Sequence, residues 1–263
     1  MTAATPGEVL ARGARAAREA YEEARRHHGR TALAETVAMG ADGTPTMRID
    51  RLVEDAILDA VAAEPVNVLS EETGFVDRGS AATLVVDPLD GSANGAAGVP
   101  LTAYSGAVAI DGVFTEALTV WLDTGRSWSA RYDRPAAFRT SGRRGLRGAA
   151  VSLLRPHTGD PVASAAWWSV ASAAARVRIL SSTCLEAALV AEGATDAFAD
   201  ARSDTHRLVD LAAAVVLVGS AGGAVRDALG RPVEFDTDLT RRWSGVVAAT
   251  PELADEVCAA LRP

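Results

Sequence analysis

Two aspartates close an apolar run in VVDPLDGSAN, residues 85–94. Asp87 and Asp90 are separated by Pro88 and Leu89, and Gly91 and Ser92 follow at once. Pro88 bends the segment while keeping it extended. Both carboxylates and the Leu89 carbonyl can then face one point. Hard oxygen donors of this kind suit Mg2+, with Mn2+ as an alternative, and leave coordination positions for water and substrate oxygens. Gly91 and Ser92 offer backbone N–H groups at a helix start, where a phosphate binds. Carboxylates beside an anion pocket are compatible only when cations lie between them. The combination points to metal-assisted hydrolysis of a phosphate ester.

Taken alone, two aspartates before Gly-Ser also describe a solvated turn. Three further acidic positions narrow the choice: Asp50 at a helix start, Glu71 with Glu72 at a strand end, and Asp210. Asp50 by itself would complement a helix dipole, and Glu71-Glu72 by itself would fit a solvated loop. Asp210 lies among Val209, Leu211, Ala212 and Ala213, where a carboxylate needs a partner or a metal. Strand ends and helix starts are where sites gather in layered α/β proteins, and the bland readings are jointly weak.

The elements that must position these groups follow from periodicity. Val9, Leu10, Gly13, Ala17, Ala20, Tyr21 and Ala24 recur at helical spacing between about residues 6 and 28. GADGTPT (40–46) is a turn or hairpin. A second helix follows, with Ile49, Leu52, Val53, Ala56, Ile57, Ala60 and Val61 as its inner stripe. VNVLS (66–70) and TLVVD (83–87) are short buried strands that deliver Glu71 and Asp87. Residues 104–122 alternate around Asp111-Gly112, which predicts a hairpin, and SWSARY continues that sheet. Residues 134–148 are a basic loop. Strands at AAVSLL, VRILS, DAFAD and GVVAAT alternate with helices near 161–175, 183–192 and 207–221 and at the C-terminus. The class is therefore α/β (α+β), with helices between or over sheets. The expected organisation is one domain over 1–263, with an N-terminal half to about 148 and a C-terminal half from about 149.

Bulk properties exclude several functions. The chain has 263 residues, a formal net charge of −8, and no lysine, so every basic side chain among the 26 is arginine. Schiff-base chemistry and the P-loop lysine are unavailable. The acidic balance argues against nucleic acid as a partner. An anionic substrate remains compatible, since bound divalent ions reverse the local sign. The two cysteines, Cys184 and Cys258, form no metal-ligand spacing and no disulfide framework. The N-terminus has no apolar core of a signal peptide, and no run approaches the ~20 apolar residues of a membrane span. A cytoplasmic protein without membrane association is expected.

In order along the chain, GADGTPT with Ile49-Asp50, SEE-T-G (70–74), DPLDGSAN (87–94), G-V-P (98–100), RVRI (176–179), LEAALVAEG (185–193), DAFADAR (196–202) and RLVDLAA before A-G-G resemble the inositol monophosphatase family. The resemblance is greatest to its archaeal-type fructose-1,6-bisphosphatase/inositol monophosphatase branch. It implies the layered αβαβα sugar-phosphatase fold and two or three Mg2+ ions. Carried over, Glu71, Asp87 and the Leu89 carbonyl would hold the first ion, and Asp87, Asp90 and Asp210 the second. Glu71 would contribute to a third. Asp50 and Ser92 would orient and activate the attacking water, with Glu71 sharing the catalytic role, and the Gly91 and Ser92 amides would receive phosphate. A homodimer is implied as well.

The substrate wall departs from the family pattern. Ser181-Ser182-Thr183 replaces a glycine-led turn, and Asn94 is followed by Gly-Ala-Ala rather than an aromatic. By the resemblance, Asn94, Arg178, Ser182 and Arg202 would line the substrate pocket. Arg178 and Arg202 would grip a second phosphate or sugar hydroxyls, or else be ordinary structural arginines. His206 is expected to be a solvated residue near a helix cap, and Cys184 to pack as a small apolar side chain. The expected activity is Mg2+-dependent hydrolysis of a small sugar or cyclitol phosphate by metal-activated water. The alternatives are a specialised phosphatase for a modified sugar phosphate or nucleotide in secondary metabolism, and a non-catalytic phosphate-ligand sensor or scaffold.

Overall fold

The computed structural model describes residues 4–157 and 159–262. Among these, two large sheets alternate with three helical layers. The six-stranded sheet runs in the order Gly74–Val76, Asn67–Ser70, Ala82–Asp90, Ala103–Ile110, Val113–Trp121, Ser127–Arg131. The five-stranded sheet runs Arg176–Arg178, Ala150–Leu153, Ala197–Ala199, Gly245–Ala248, Ala224–Asp227. Helices Pro6–His27 and Arg48–Ala60 cover the outer face of the first sheet, against Val68, Leu84, Val86 and Tyr104. Helices Thr183–Ala191 and Leu208–Ser220 fill the space between the sheets, against Leu69, Val85 and Ala107 on one side and Phe198 and Val247 on the other. Helices Pro161–Ala173 and Pro251–Ala260 close the far face. The αβαβα layering expected from the resemblance is the layering observed.

Local chemistry explains the element boundaries. The first helix starts at a reciprocal cap: the Glu8 N–H donates to Thr5 Oγ1, the Glu8 carboxylate accepts from the Thr5 N–H, and Pro6 follows the cap. The hairpin at Asp111-Gly112 turns through two left-handed residues, φ 50° and 79°. The Gly40–Thr46 stretch is the predicted hairpin, joining Thr36–Met39 to Pro45–Met47.

The second helix differs from expectation on one face. Leu52 is exposed, while Asp50 and Glu54 join Ile49, Val53 and Ile57 in the buried stripe. Glu54 is inside because it accepts from the Glu72 and Thr73 N–H groups at 3.1 and 3.0 Å and from the Thr73 hydroxyl at 2.8 Å. A buried carboxylate with three donors and Arg51 beside it is compensated. An apolar-stripe reading has no means of placing it. Trp167 and Trp168 divide as adjacent helical residues must: Trp168 is exposed and Trp167 is half-buried against the apolar cluster between the five-stranded sheet and the far-face helices. Among the described residues, no helix is long and apolar enough to cross a membrane.

Candidate active site

The site begins with a strand pairing. Asn67–Ser70 runs parallel to Ala82–Asp90, with Ser70 opposite Val86. Both strands therefore end on the same edge, and Glu71 emerges beside Asp87. Along Ala82–Asp90, Leu84 and Val86 face the outer helices while Val85 faces the inner layer. Alternation puts Asp87 on the inner face with Val85. A spacing of three would then send Asp90 to the other face. The pairing with Ala103–Ile110 shifts register between Asp87 and Asp90, and this irregularity returns Asp90 to the inner side. The Leu89 N–H donates to Asp87 Oδ1 at 3.1 Å and stabilises the bend.

The inner helices complete the cluster. The Cys184 and Leu185 N–H groups, at the head of Thr183–Ala191, donate to Asp90 Oδ2 at 2.9 and 3.3 Å. The Ser182 hydroxyl donates to the same oxygen. Asp210 lies in the first turn of Leu208–Ser220 and accepts the Arg207 N–H through Oδ2 at 2.5 Å. Glu71, Asp87, Leu89, Asp90, Gly91, Ser92 and Asp210 all line one cleft of about 180 Å³. A larger cavity of about 720 Å³ lies between the N-terminal helix and the strands around Glu116 and Arg131 and includes none of these groups. Gly91 has φ 82°, and a Cβ there would come within 2.6 Å of the Leu101 carbonyl, so only glycine allows the turn from Asp90 into Ser92–Ala97. The Ser92 hydroxyl donates to the Leu89 carbonyl at 3.0 Å.

Asp50 is not among the residues lining that cleft but lies beside Ser92, which is. Its Oδ2 accepts from the Met47 N–H at 3.1 Å, while Oδ1 is buried without a hydrogen-bond partner. The neighbouring glutamates diverge. Glu71 turns into the cleft, and Glu72 accepts from the Thr46 hydroxyl on the hairpin side.

Electrostatics of the cluster are dominated by burial. Loss of water raises Asp50 to about 6, against the lowering effect of the Ser92 hydroxyl. Burial raises Glu71 to about 8 and Glu72 to about 7, aided by neighbouring carboxylates. Asp90 rises to about 6 for the same reason, with Ser182 opposing, and Asp87 is pushed well above its usual range by burial and by Glu71, Asp90 and Asp210. Asp210 goes the other way: burial opposes ionisation, but the Arg207 guanidinium outweighs it and holds the carboxyl below its ordinary value. Of these six carboxyl groups, Asp50, Glu71, Asp87 and Asp210 feel the charge of one guanidinium, Arg207. Oxygen donors at this density, an orphaned buried oxygen on Asp50, and the close approach of Asp87 and Asp90 fit a hard divalent cation.

Not every expected residue reaches the cleft. Ser182 is buried beneath it, its hydroxyl given to Asp90, while Ser181 and Thr183 form the wall. Helix-start geometry turns Ser182 inward, so its placement on the substrate wall is corrected. Asn94 donates its amide nitrogen to the Leu101, Leu180 and Ser181 carbonyls at 2.9–3.2 Å, tying the short helix to the 180–182 turn. Arg202 lines a different cavity with Arg226, Asp227 and Arg262, which removes it from the cleft. Arg178, on the edge strand, has Nη1 buried without a protein partner.

Other groups were missed. His206 is 1% exposed rather than solvated. Its Nδ1 accepts from the Gly245 N–H at 3.0 Å, which leaves the proton on Nε2 for Thr183 Oγ1 at 3.2 Å. Burial holds it below its usual value, hence neutral, and it ties the two inner helices to the second sheet. Cys184 is buried as expected, yet Sγ also lies 3.7 Å from Asp87 Oδ2. Arg207 was the largest omission. It was given no role, although it opens the RLVDLAA motif three residues before Asp210.

Comparison with known proteins agrees with this architecture. The model of the inositol monophosphatase family matches residues 6–263. The chain is 31% identical over 255 residues to the fructose-1,6-bisphosphatase/inositol-1-monophosphatase of Thermococcus kodakarensis, covering 94% of each chain. It is 30% identical over 241 residues to the bifunctional NADP phosphatase/NAD kinase of Methanococcus maripaludis, covering 80% of this chain and 42% of that protein. The crystal structure of the MJ0109 gene product, an inositol monophosphatase-fructose 1,6 bisphosphatase, superposes with a TM-score of 0.84 at 27% identity, covering 98% of this chain and all of that one. With the family model spanning nearly every residue and the same fold in the superposed structure, the chain belongs to the inositol monophosphatase family of metal-dependent phosphatases.

Proposed function

We propose that the protein hydrolyses the phosphate monoester of a small sugar or cyclitol, with Mg2+ as its metal, in the cleft between the two inner helices and the edge of the first sheet. The observation that carries this reading is the convergence of Glu71, Asp87, Asp90 and Asp210 beside the Gly91-Ser92 turn. Glu71, Asp87 and the Leu89 carbonyl would hold one ion, and Asp87, Asp90 and Asp210 a second, with Glu71 contributing to a third. Mg2+ bound there would supply charge neutralisation, Lewis-acid polarisation and a lowered pKa for water.

The chain's own groups do the rest. The N–H groups of Gly91 and Ser92 receive the phosphoryl oxygens. The Ser92 hydroxyl and Asp50 orient the attacking water. Asp50, raised by burial to about 6, accepts its proton near neutral pH. The water oxygen bonds to phosphorus in line as the bond to the alkoxide oxygen breaks, and the alkoxide takes a proton from solvent to leave as the alcohol, while Asp50 returns its proton to solvent. Arg178, with an unpartnered buried nitrogen, is the arginine retained for the substrate. The assembly would be a homodimer, which light scattering tests by mass.

Phosphate release from a panel of sugar, cyclitol and nucleoside phosphates, with Mg2+ or with EDTA, tests the proposal. Metal-dependent release from a sugar or cyclitol phosphate is expected. A nucleotide phosphate as the favoured compound would establish the second reading, which the name of the Methanococcus maripaludis relative favours. Tight phosphate-ester binding with no release from any compound would sink hydrolysis and leave a sensor or scaffold.

A further inference from the structure

The Arg207 guanidinium rests on carboxylates that the proposed reading assigns to metal ions, and this inference depends on that reading. Arg207 Nε and Nη2 bond the two oxygens of Asp210, each at 3.1 Å. Nη1 bonds Glu71 Oε1 and, at 2.7 Å, Asp42 Oδ2. Asp42 lies outside the cleft lining, in the Gly40–Thr46 hairpin, with its side chain fully buried. The Thr44 N–H donates to Asp42 Oδ1 at 2.8 Å, and Arg242 Nη2 donates to the Asp42 carbonyl at 2.8 Å. Arg207 is therefore shared between two groups of the cleft and one fixed anion behind it.

We propose that Arg207 is a built-in cation that competes with divalent metal for Glu71 and Asp210, and that Asp42 is the outer anchor that retains the guanidinium when metal takes those carboxylates. Lone pairs engaged by the guanidinium fork are not free for a cation at about 2.1 Å. Two positive charges at that separation also repel strongly in a partly buried site. Asp87 and Asp90 accept no hydrogen bond from Arg207, Asp90 being held instead by Ser182, Cys184 and Leu185. Metal loading is then unequal. An ion seated on Asp87 and Asp90 displaces no guanidinium hydrogen bond, whereas full engagement of Glu71 and Asp210 requires the guanidinium to withdraw toward Asp42. A phosphate anion beside the pair offsets the repulsion, so substrate and the displaced arginine are linked.

The test is calorimetric titration of Mg2+ into the substrate-free, metal-stripped full chain, for the wild type, Arg207→Gln and Asp42→Asn, with a thermal scan of each to verify folding. Arg207→Gln is expected to tighten the weaker binding step by about tenfold or more. Asp42→Asn keeps an oxygen for Thr44 but removes the outer charge. It commits the guanidinium to Glu71 and Asp210, and is expected to weaken the same step. Equal isotherms in all three proteins, or a weaker step in Arg207→Gln and a tighter one in Asp42→Asn, overturn the role of Arg207 while leaving the metal site standing. No binding in any of them overturns the metal assignment and this inference together. Should Arg207→Gln fail to fold, the direction of the Asp42→Asn shift decides.

Discussion

Replacing Asp90 with asparagine separates catalysis from folding, because the two should respond with opposite sign. Asp90 Oδ2 accepts from the Ser182 hydroxyl and from the N–H groups of Cys184 and Leu185. An asparagine can present its carbonyl oxygen to all three donors, so the head of the Thr183–Ala191 helix stays in place. Its amino group then points into the cleft, where the proposed reading requires an anion. One charge is lost opposite a cation, worth about 4 kcal/mol at contact distance with an effective dielectric of about 20. That corresponds to a fall of roughly 10³-fold in kcat/KM, the order seen when one preorganised electrostatic group is removed. In the metal-free protein the same change removes a buried carboxylate that Asp210 repels. The unfolding temperature without metal should therefore hold or rise, while the rise on adding Mg2+ should shrink. Steady-state phosphate release and thermal scans with and without EDTA read both. Wild-type turnover in Asp90→Asn, or a collapse of the metal-free fold, would refute the reasoning.

Three other outcomes follow from the geometry. Glu71 is raised to about 8, Glu72 to about 7 and Glu186 to about 8, chiefly by burial, so the folded chain binds more protons than the unfolded one between about pH 5 and 8. Stability without metal should fall as pH rises through that window, and the stabilisation by Mg2+ should be larger at pH 8 than at pH 5; the opposite slope in EDTA would contradict it. Gly91→Ala places a Cβ 2.6 Å from the Leu101 carbonyl at φ 82° and should cost ~2 kcal/mol or more of stability, with loss of turnover, as read by denaturant unfolding and phosphate release. Arg202→Ala should leave KM within about twofold of wild type because Arg202 lines a separate cavity, whereas Arg178→Ala should raise KM; a large KM effect at Arg202 alone would reverse their assignment.

Much of the catalytic centre was legible in the chain because its ligands are tied to local elements. Periodicity located the strands ending at Ser70 and Asp87, the second of which runs on to Asp90 in the structure, and the helix carrying Asp210, and carboxylates at such ends are readable without contacts. The proline-containing bend marked Asp87 and Asp90 as a pair, and the ordered motifs around them identified the family and its layers. The same reading failed wherever burial depended on a distant partner. Glu54 was not part of the expected inner stripe, and it is buried because the Glu72 and Thr73 amides are brought to it. His206 looked solvated until Gly245 and Thr183 closed on both ring nitrogens. Ser182 and Arg202 were assigned to the wall by position in a motif, which does not encode the direction of a side chain.

What the sequence determined by itself was the order of elements and the identity of the acidic donors; the need for glycine at 91 came from the contact with the Leu101 carbonyl. Tertiary structure alone decided that Asp87 and Asp90 share a face, because that depends on a register shift against the neighbouring strand. It alone joined Asp42, Glu71, Asp210 and Arg207, since Asp42 and Arg207 are 165 positions apart in the chain. Hydrophobic periodicity reports what an element does with its own face. Charge pairing across layers depends on which faces meet, and that is a property of the packed molecule.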